Sequence, residues 1–490
     1  MRHRKQRLHP LYIFLEFATT LRNFSVAIIY FIVLKFNVDS GFYIFMRYFL
    51  YIYLILNFIY IIIRWLTTSY ILNEDYIQMN FGIISRQRRN IPLIQIQNIQ
   101  QQTTAVLRPF NVTSVILETG SVNKNASIKL NVISKQQADL ITNTIGRSQS
   151  GTPIEINKLE RMDNENLQTK RTVHFTTTKK DIIKASFTSL QFLVLIPILV
   201  SMYFRVNELY NIEAQVDHWI ANLLMSWIFI IISASLLVIV SIIFGIVMTY
   251  FKYGKFIVSS DSKHIFIQKG VFNEKVFTIK KHHVQAIKIE QSLIKRLLGI
   301  AEVKLVTAGE IDKEENTFSS LYPYLPIQKA YLLIQELTPN FTVVHTMERL
   351  PKTALWMNLL RIPWFGIIFT ILLFILNIDL WWSAVIFILA YGGRFLQYLN
   401  TGYIINGEIL QFKSGTFSKN VFITRREKII EVRLKRSWLQ KQFKIATLKT
   451  VNRSKPVHHE MIEDIPWKFG ESFIKWFEKR PVKIVKSNSK

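Results

Sequence analysis

Along this chain, runs of about twenty apolar residues alternate with longer polar stretches, and the runs come in pairs. A bilayer core roughly 30 Å thick asks for about 20 predominantly apolar residues per helix. Stretches of that character are Phe24 to Phe36 (extended by Leu21 and Val38), Phe42 to Ile63, Ile182 to Phe204, Trp219 to Phe251, Leu359 to Leu376 and Leu380 to Leu399. They predict six spans in three hairpins, the fourth long enough to need tilt or to continue outside the bilayer. The polar stretches carry a different period. Tyr76, Gln78 and Asn80 alternate with Ile77, Met79 and Phe81, Ile128, Leu130 and Val132 alternate with polar neighbours, and Val112 to Thr119 is rich in β-branched residues. That pattern predicts strands. Lys135 to Ile145 switches to helical spacing with Ala138, Ile141 and Ile145 on one side, and Ile327 to Leu337 does so again before Pro339. The expected fold class is thus a multi-pass α+β membrane protein in which each hairpin precedes a small antiparallel domain closed by a helix.

The pairs recur as an internal repeat. Aligning Gly82, Gly270 and Gly415 gives offsets of 188 and 145. The first two copies then share Ile91/Ile279, Gln97/Gln285, Ile99/Ile287, Arg108/Arg296, Val115/Val303, Leu117/Leu305 and Thr119/Thr307. The second and third share Ser292/Ser437, Ile300/Ile445, Ala301/Ala446 and Lys304/Lys449. The expected division is hairpin 1–65, domain 66–146, linker 147–178, hairpin 179–253, domain 254–340, hairpin 348–399 and domain 400–480. The linker assignment rests on polar, weakly patterned sequence from Arg147 to Arg171.

Charge gives this layout an orientation. The 490 residues hold 61 Lys+Arg against 33 Asp+Glu, a net charge of +28, although half are hydrophobic. The short connectors Asn37–Gly41 and Asn377–Asp379 contain no Lys or Arg, and Arg205–His218 contains one Arg among three carboxylates. The cations lie in the N-terminal Met-Arg-His-Arg-Lys-Gln-Arg and in the large segments, so both termini and all three domains are expected in the cytoplasm. The N-terminal stretch reads as a retained anchor, since no small-residue cleavage site precedes the second apolar run.

Two local patterns and the glycine positions resemble the bacterial pleckstrin-homology-like family of membrane proteins (bPH2, formerly DUF304), in its long three-domain form. In the first copy these are Gly82 and Ile91-Pro92-Leu-Ile-Gln-Ile-Gln97-Asn-Ile99. In the second they are Gly270, then Gln291-Ser-Leu-Ile-Lys-Arg296-Leu-Leu-Gly299-Ile-Ala-Glu-Val303 and Thr307-Ala-Gly309. The third copy keeps Gly415 but departs elsewhere, with Thr424-Arg-Arg-Glu-Lys in place of the Ile-Pro-Leu pattern and Trp438 where the second has Leu293. The resemblance implies three PH-like β-barrels with C-terminal helices. It also implies a shorter one-domain relative as partner, and a role in envelope stress or in resistance to membrane-active peptides such as bacteriocins. It supplies no catalytic motif, and none is expected here.

Residue chemistry agrees with a non-enzymatic reading. Without cysteine there is no disulfide, thiolate metal site or cysteine nucleophile. No lysine-bearing glycine loop, G-x-S-x-G or H-E-x-x-H motif occurs. His282-His283 and His458-His459-Glu460 are the densest clusters. Strand neighbours point to opposite faces, so surface histidines are expected rather than a metal site. Glu460, Glu463 and Asp464 read as a solvated acidic turn. Cofactors and catalytic or metal residues are therefore expected to be none. Within the spans Arg47, Asn57 and Lys35 stand out, which leaves a peptide or lipid transporter as the alternative function. Basic runs remain: Arg86, Arg88 and Arg89; Lys280 and Lys281; and Arg425, Arg426, Arg433 and Arg436. They are expected to hold the domains near the anionic leaflet of the lipid bilayer or to bind an acidic ligand. Nucleic acid is not an expected partner, because no basic recognition motif interleaved with aromatics appears.

Overall fold

The structure, a computed structural model, describes residues 5–34, 40–83, 85–119, 127–150, 171–189, 227–307, 320–376, 378–454 and 457–479, with 197 and 201. The chain divides into two compact units, Met1–Thr169 with Phe272–Thr278 and Lys170–Val271 with Ile279–Lys490. In the first unit, β1 (Gln6–Arg7) leads into the helix Leu11–Asn23, a 66° bend, and a continuation that turns π-helical over Ile29–Leu34. The helix Gly41–Thr67 follows, then β2 (Ser69–Leu72), β3 (Tyr76–Phe81), β4 (Gln87–Pro92), β5 (Ile96–Thr103), β6 (Val112–Thr119), β7 (Ser127–Ser134) and the helix Lys135–Ser150.

The chain from Lys170 onward repeats this order twice, with Phe272–Thr278, and so most of β11, counted in the first unit. Its first copy has β8 (Thr172–Thr176), helices Lys179–Ser189 and Trp227–Tyr253, β9 (Ile257–Ser260), β10 (His264–Lys269), β11 (Glu274–Lys280), β12 (Val284–Gln291), β13 (Ile300–Thr307), β14 (Leu325–Pro326) and the helix Ile327–Leu337. Its second has β15 (Glu348–Arg349), helices Lys352–Leu360, Trp364–Ile375 and Trp381–Asn400, β16 (Gly402–Asn406), β17 (Ile409–Ser414), β18 (Lys419–Arg425), β19 (Ile429–Lys435), β20 (Ile445–Asn452), β21 (His458–Pro466) and the helix Trp467–Glu478. Every copy thus has seven strands and a closing helix among the described residues.

The first strand of each copy corrects the expected boundaries. β1 pairs with β2, β8 with β9 and β15 with β16, all antiparallel. Each small domain therefore begins before its helices, which form an insertion between strands one and two. The segment read as a linker over 147–178 contains β8 and the end of the helix Lys135–Ser150; residues 151–170 lie outside the described ones. β1 and β15 span two residues each, too few to display a period, and β8 is mostly polar. The start of the helical insertion also belongs to the domain. Tyr12 of Leu11–Asn23 is buried in the same core as Leu8, Ile77, Leu117 and Leu130, and the Trp65 indole N–H donates to the Leu8 carbonyl at 2.9 Å.

Two described helices are long and apolar enough to cross a membrane, Gly41–Thr67 and Lys352–Ile375; the bent pair beginning at Leu11 would make a third. Val238–Tyr253 is a shorter apolar helix, and most of the expected third span lies outside the described residues. Lys352–Ile375 is broken before Pro363, whose ring disfavours helical backbone in the preceding residue. Arg394, inside an expected span and unremarked in the sequence, donates to the freed carbonyls of Asn358, Arg361 and Ile362.

The repeat extends to backbone irregularities. Strand five of every copy carries a register shift at the same position, at Gln97, Gln285 and Ile430. The residue just before strand six has positive φ each time, Asn111 (53°), Gly299 (66°) and Lys444 (55°). Gly82, Gly270 and Gly415 end strand three with φ of 113°, 95° and 140°; a Cβ on Gly82 or Gly415 would overlap the carbonyl of Ser85 or Ser418. Left-handed backbone costs a residue with a Cβ roughly 1–2 kcal/mol. Lys444→Gly is accordingly expected to stabilise the protein by about 0.5–1 kcal/mol after the entropy cost of glycine, read as a higher thermal midpoint in detergent. A lower midpoint would mean that the lysine side chain makes contacts worth more than the strain.

Candidate binding surface

Where strand four turns into strand five, every copy makes a 3₁₀ turn: Leu93–Gln95, Lys281–His283 and Arg426–Lys428. In the second unit two of these corners meet, because β12 pairs antiparallel with β18, Ala286 opposite Thr424 through Gln291 opposite Lys419. One sheet results, in the order β14-β13-β12-β18-β17-β16-β15. The buried Thr424 hydroxyl donates to the Gln285 carbonyl at 3.0 Å and accepts from the Asn452 amide at 2.8 Å. Lys428 Nζ donates to the His282 carbonyl at 2.9 Å.

The expected basic residues divide by environment. Arg425 contacts Glu408 at 2.8 Å and Glu427 at 2.9 Å. Arg426 reaches Glu408 at 3.4 Å and lies over the Trp476 ring. Arg433 pairs with Glu431, and Arg436 stacks 4.1 Å over Trp467 while donating to the Lys441 carbonyl. Arg89 donates to the Ser127 carbonyl at 3.1 Å, and burial lowers its proton affinity. Neighbouring Arg88 points to the other face of β4 and is exposed, as is Arg86. Lys280 is buried, which pulls its ammonium down to about 8. Burial, with Lys280, Lys428 and His264 nearby, lowers His282. The structure therefore brings Lys280, Lys281 and His282 to one corner with Lys428, whose turn also carries Arg426.

Residues from the shared patterns shape loops. Gln291 is buried and donates to the Ile300 carbonyl at 2.9 Å, bridging the strand five to six loop. Ser292 and Ser437 cap the short helices Leu293–Leu297 and Trp438–Gln442, the latter through a full capping box. Pro92 leads into the first 3₁₀ turn, Gln97 and Gln285 occupy the strand-five irregularity, and Arg296 is exposed on Leu293–Leu297. Gly309 lies outside the described residues.

Several polar groups sit in different settings from those expected. His282 and His283 occupy a 3₁₀ turn rather than a strand, their rings 4.0 Å apart. His458 contacts Glu460 at 3.3 Å and stacks on Phe422. No cluster of three metal-ligating side chains occurs among the described residues. Glu463 and Asp464 are not a solvated turn. They form a bulge opposite Thr447, with Asp464 at φ 61° and 1% exposed. Arg361 holds both carboxylates, at 2.9 Å to Asp464, and the Gln440 amide donates to Asp464 at 2.8 Å. Burial pushes the Asp464 carboxyl up, opposed by Gln440 and Arg361. In the first helical insertion Asn57 accepts from the Thr20 hydroxyl at 3.1 Å, and Arg47 Nε donates to the Tyr43 carbonyl at 3.3 Å; Lys35 lies outside the described residues.

Three PH-like repeats in an α+β chain with long apolar helices define a class of membrane-associated bacterial proteins. The family model described as "Bacterial PH domain" (bPH_2) matches residues 24–149, 197–337 and 358–480, well over half of the chain, and the chain belongs to that family. It is similar to the UPF0699 transmembrane protein YdbT of Bacillus subtilis (strain 168), 24% identical over 427 residues, covering 85% of this chain and 86% of that protein. No solved structure matches. The three matched segments begin inside the helical insertions, leaving β1, β8 and β15 outside them. With its apolar helices and this relative, the chain is a membrane protein.

Lys280 gives a pH-dependent test. Its folded-state pKa lies below the ordinary 10.5, so the unfolded chain binds the proton more tightly and stability rises with pH between about 8 and 10.5. Below about 8 the buried charge is retained at full cost. Lys280→Met is expected to add about 1–3 kcal/mol at pH 7, an advantage that shrinks through that window. Thermal unfolding at pH 7, 9 and 10.5 reads it, and equal midpoints at pH 7 would contradict the burial cost.

Proposed function

We propose that this protein is a non-enzymatic scaffold of the cell membrane. In this reading six spans form three hairpins, both termini and all three PH-like domains are cytoplasmic, and the array binds partner proteins at the anionic leaflet. The observation that carries it is the β12–β18 ladder. By joining two domains edge to edge, it makes a fixed multi-domain platform rather than beads on flexible tethers. The occupied side chains of the first insertion also favour a scaffold over a transporter, since Asn57 bonds the neighbouring helix and tethers helices rather than opening a path. A shorter single-domain relative is the proposed partner, and envelope stress or resistance to membrane-active peptides the proposed setting.

The absence of native cysteine makes topology directly measurable. Single cysteines at Ser40, Asn211 and Asp379 are expected to react with an impermeant maleimide in intact cells. Those at Ser148, Asn273 and Ser472 should react only after permeabilisation. Labelling of Asn273 or Ser472 from outside would overturn the orientation, and with it the cytoplasmic scaffold.

A further inference from the structure

Four cations gather at one end of the seven-stranded sheet of the second unit. Arg349 on β15 faces Gly402 on β16, which faces Lys413 on β17. Directly opposed residues share a sheet face, so Arg349 and Lys413 lie on the same side with only a glycine between them. Lys413 pairs with Val421, and Lys419 two residues earlier on β18 lies on that face too. Gln291 at the end of β12 is opposite Lys419, and the helix after it carries Arg296.

Several cations of the same unit are neutralised, whereas this group has no counter-charge among the described residues. Lys295, Lys304, Arg361, Arg425, Arg426 and Arg433 each contact a carboxylate. Among the described residues, neither Arg349, Lys413, Lys419 nor Arg296 makes a side-chain ion pair or hydrogen bond. Burial, with Arg296 and Arg349 nearby, lowers Lys413; burial, with Lys413 and Arg296 nearby, lowers Lys419. Mutual repulsion in a partly desolvated place is costly unless an anion completes it.

The surroundings indicate where that anion comes from. The turn between Lys413 and Lys419 exposes Phe417 (49%), and beside Arg296 the helix exposes Leu297 (79%) and Leu298 (44%). The same turn lies against the end of the apolar helix Trp381–Asn400: the Asn400 amide donates to the Thr416 carbonyl at 2.8 Å, and Thr416 packs by Gly393. Cations beside exposed apolar side chains, at the end of a helix that the proposed reading places in the membrane, suit the boundary between headgroups and acyl chains.

We propose that Arg349, Lys413, Lys419 and Arg296 form a binding site for the phosphate of an anionic membrane lipid, with Phe417 and Leu297 dipping into the interface beside it. This rests on the membrane reading above and assigns its lipid contact to residues outside the basic runs conspicuous in the sequence. The test uses the full-length protein in detergent, titrated with phosphatidylglycerol or phosphatidylcholine in mixed micelles, or with inorganic phosphate, and follows tryptophan fluorescence and the thermal midpoint. Phosphatidylglycerol alone is expected to saturate. Lys413→Gln with Lys419→Gln should weaken it about tenfold or more, as should Arg349→Gln with Arg296→Gln at exposed positions that leave folding intact. Lys413→Arg with Lys419→Arg should retain binding, and Arg86→Gln with Arg88→Gln should leave it unchanged. Unchanged affinity in both neutralised variants would overturn the site, and saturation by inorganic phosphate at equal affinity would overturn the lipid assignment. The cysteine map is independent of these titrations, so a failed site with an intact map leaves the membrane reading standing.

Discussion

Each PH-like domain here closes across an insertion. Its first strand lies before the helices and its second strand after them, and the ladder between the two is what the rest of the fold depends on. Such an insertion adds little closure cost, because the entropy of a loop grows only with the logarithm of its length. It also fixes where the helices leave the domain, since both ends of the insertion are anchored in one sheet. In the first copy the anchoring is reinforced by side chains, with Tyr12 in the barrel core and Trp65 bonded to the Leu8 carbonyl. In the third it is reinforced by charge, with Arg361 of the helical insertion clamped to Glu463 and Asp464 on β21.

A second constraint follows from the open barrels. Strand four and strand five of one domain belong to different sheets, so each would present unpaired backbone groups, a liability for aggregation. In the second unit β12 and β18 satisfy each other. β19 ends its own sheet and carries Glu431, Arg433 and Lys435 at alternate positions, charges that discourage further strand addition. The same residues that looked like a ligand patch in the sequence therefore have structural work: Arg433 is neutralised by Glu431, and Arg436 covers Trp467.

Legibility in the sequence tracked the length of each signal. The glycines used to align the copies are equivalent turn positions of positive φ, and Ile327–Leu337 and Val112–Thr119 appear with the expected bounds. A strand of two residues carries no period, so β1 and β15 were hidden, and β8 was masked by its polar composition. The positive-φ position just before strand six was visible only at Gly299, because asparagine tolerates that backbone at 111 and a lysine is forced into it at 444. Clusters were least legible. Arg349, Lys413, Lys419 and Arg296 are scattered singly over 124 positions of sequence, and only the register of five strands places them together. The conspicuous runs, by contrast, were conspicuous because neighbours in sequence alternate between faces and partners in the fold.

Hydrogen exchange of the detergent-solubilised protein addresses the inserted-helix architecture most directly, at the segment where it departs furthest from the sequence pattern. Backbone amides of Thr172–Thr176 that face Ile257–Ser260 are expected to be protected to the same degree as the amides of β9 itself. Complete exchange of Thr172–Thr176 at the shortest labelling time, with β9 still protected, would mean that the segment is a linker and that the domain begins after its helices.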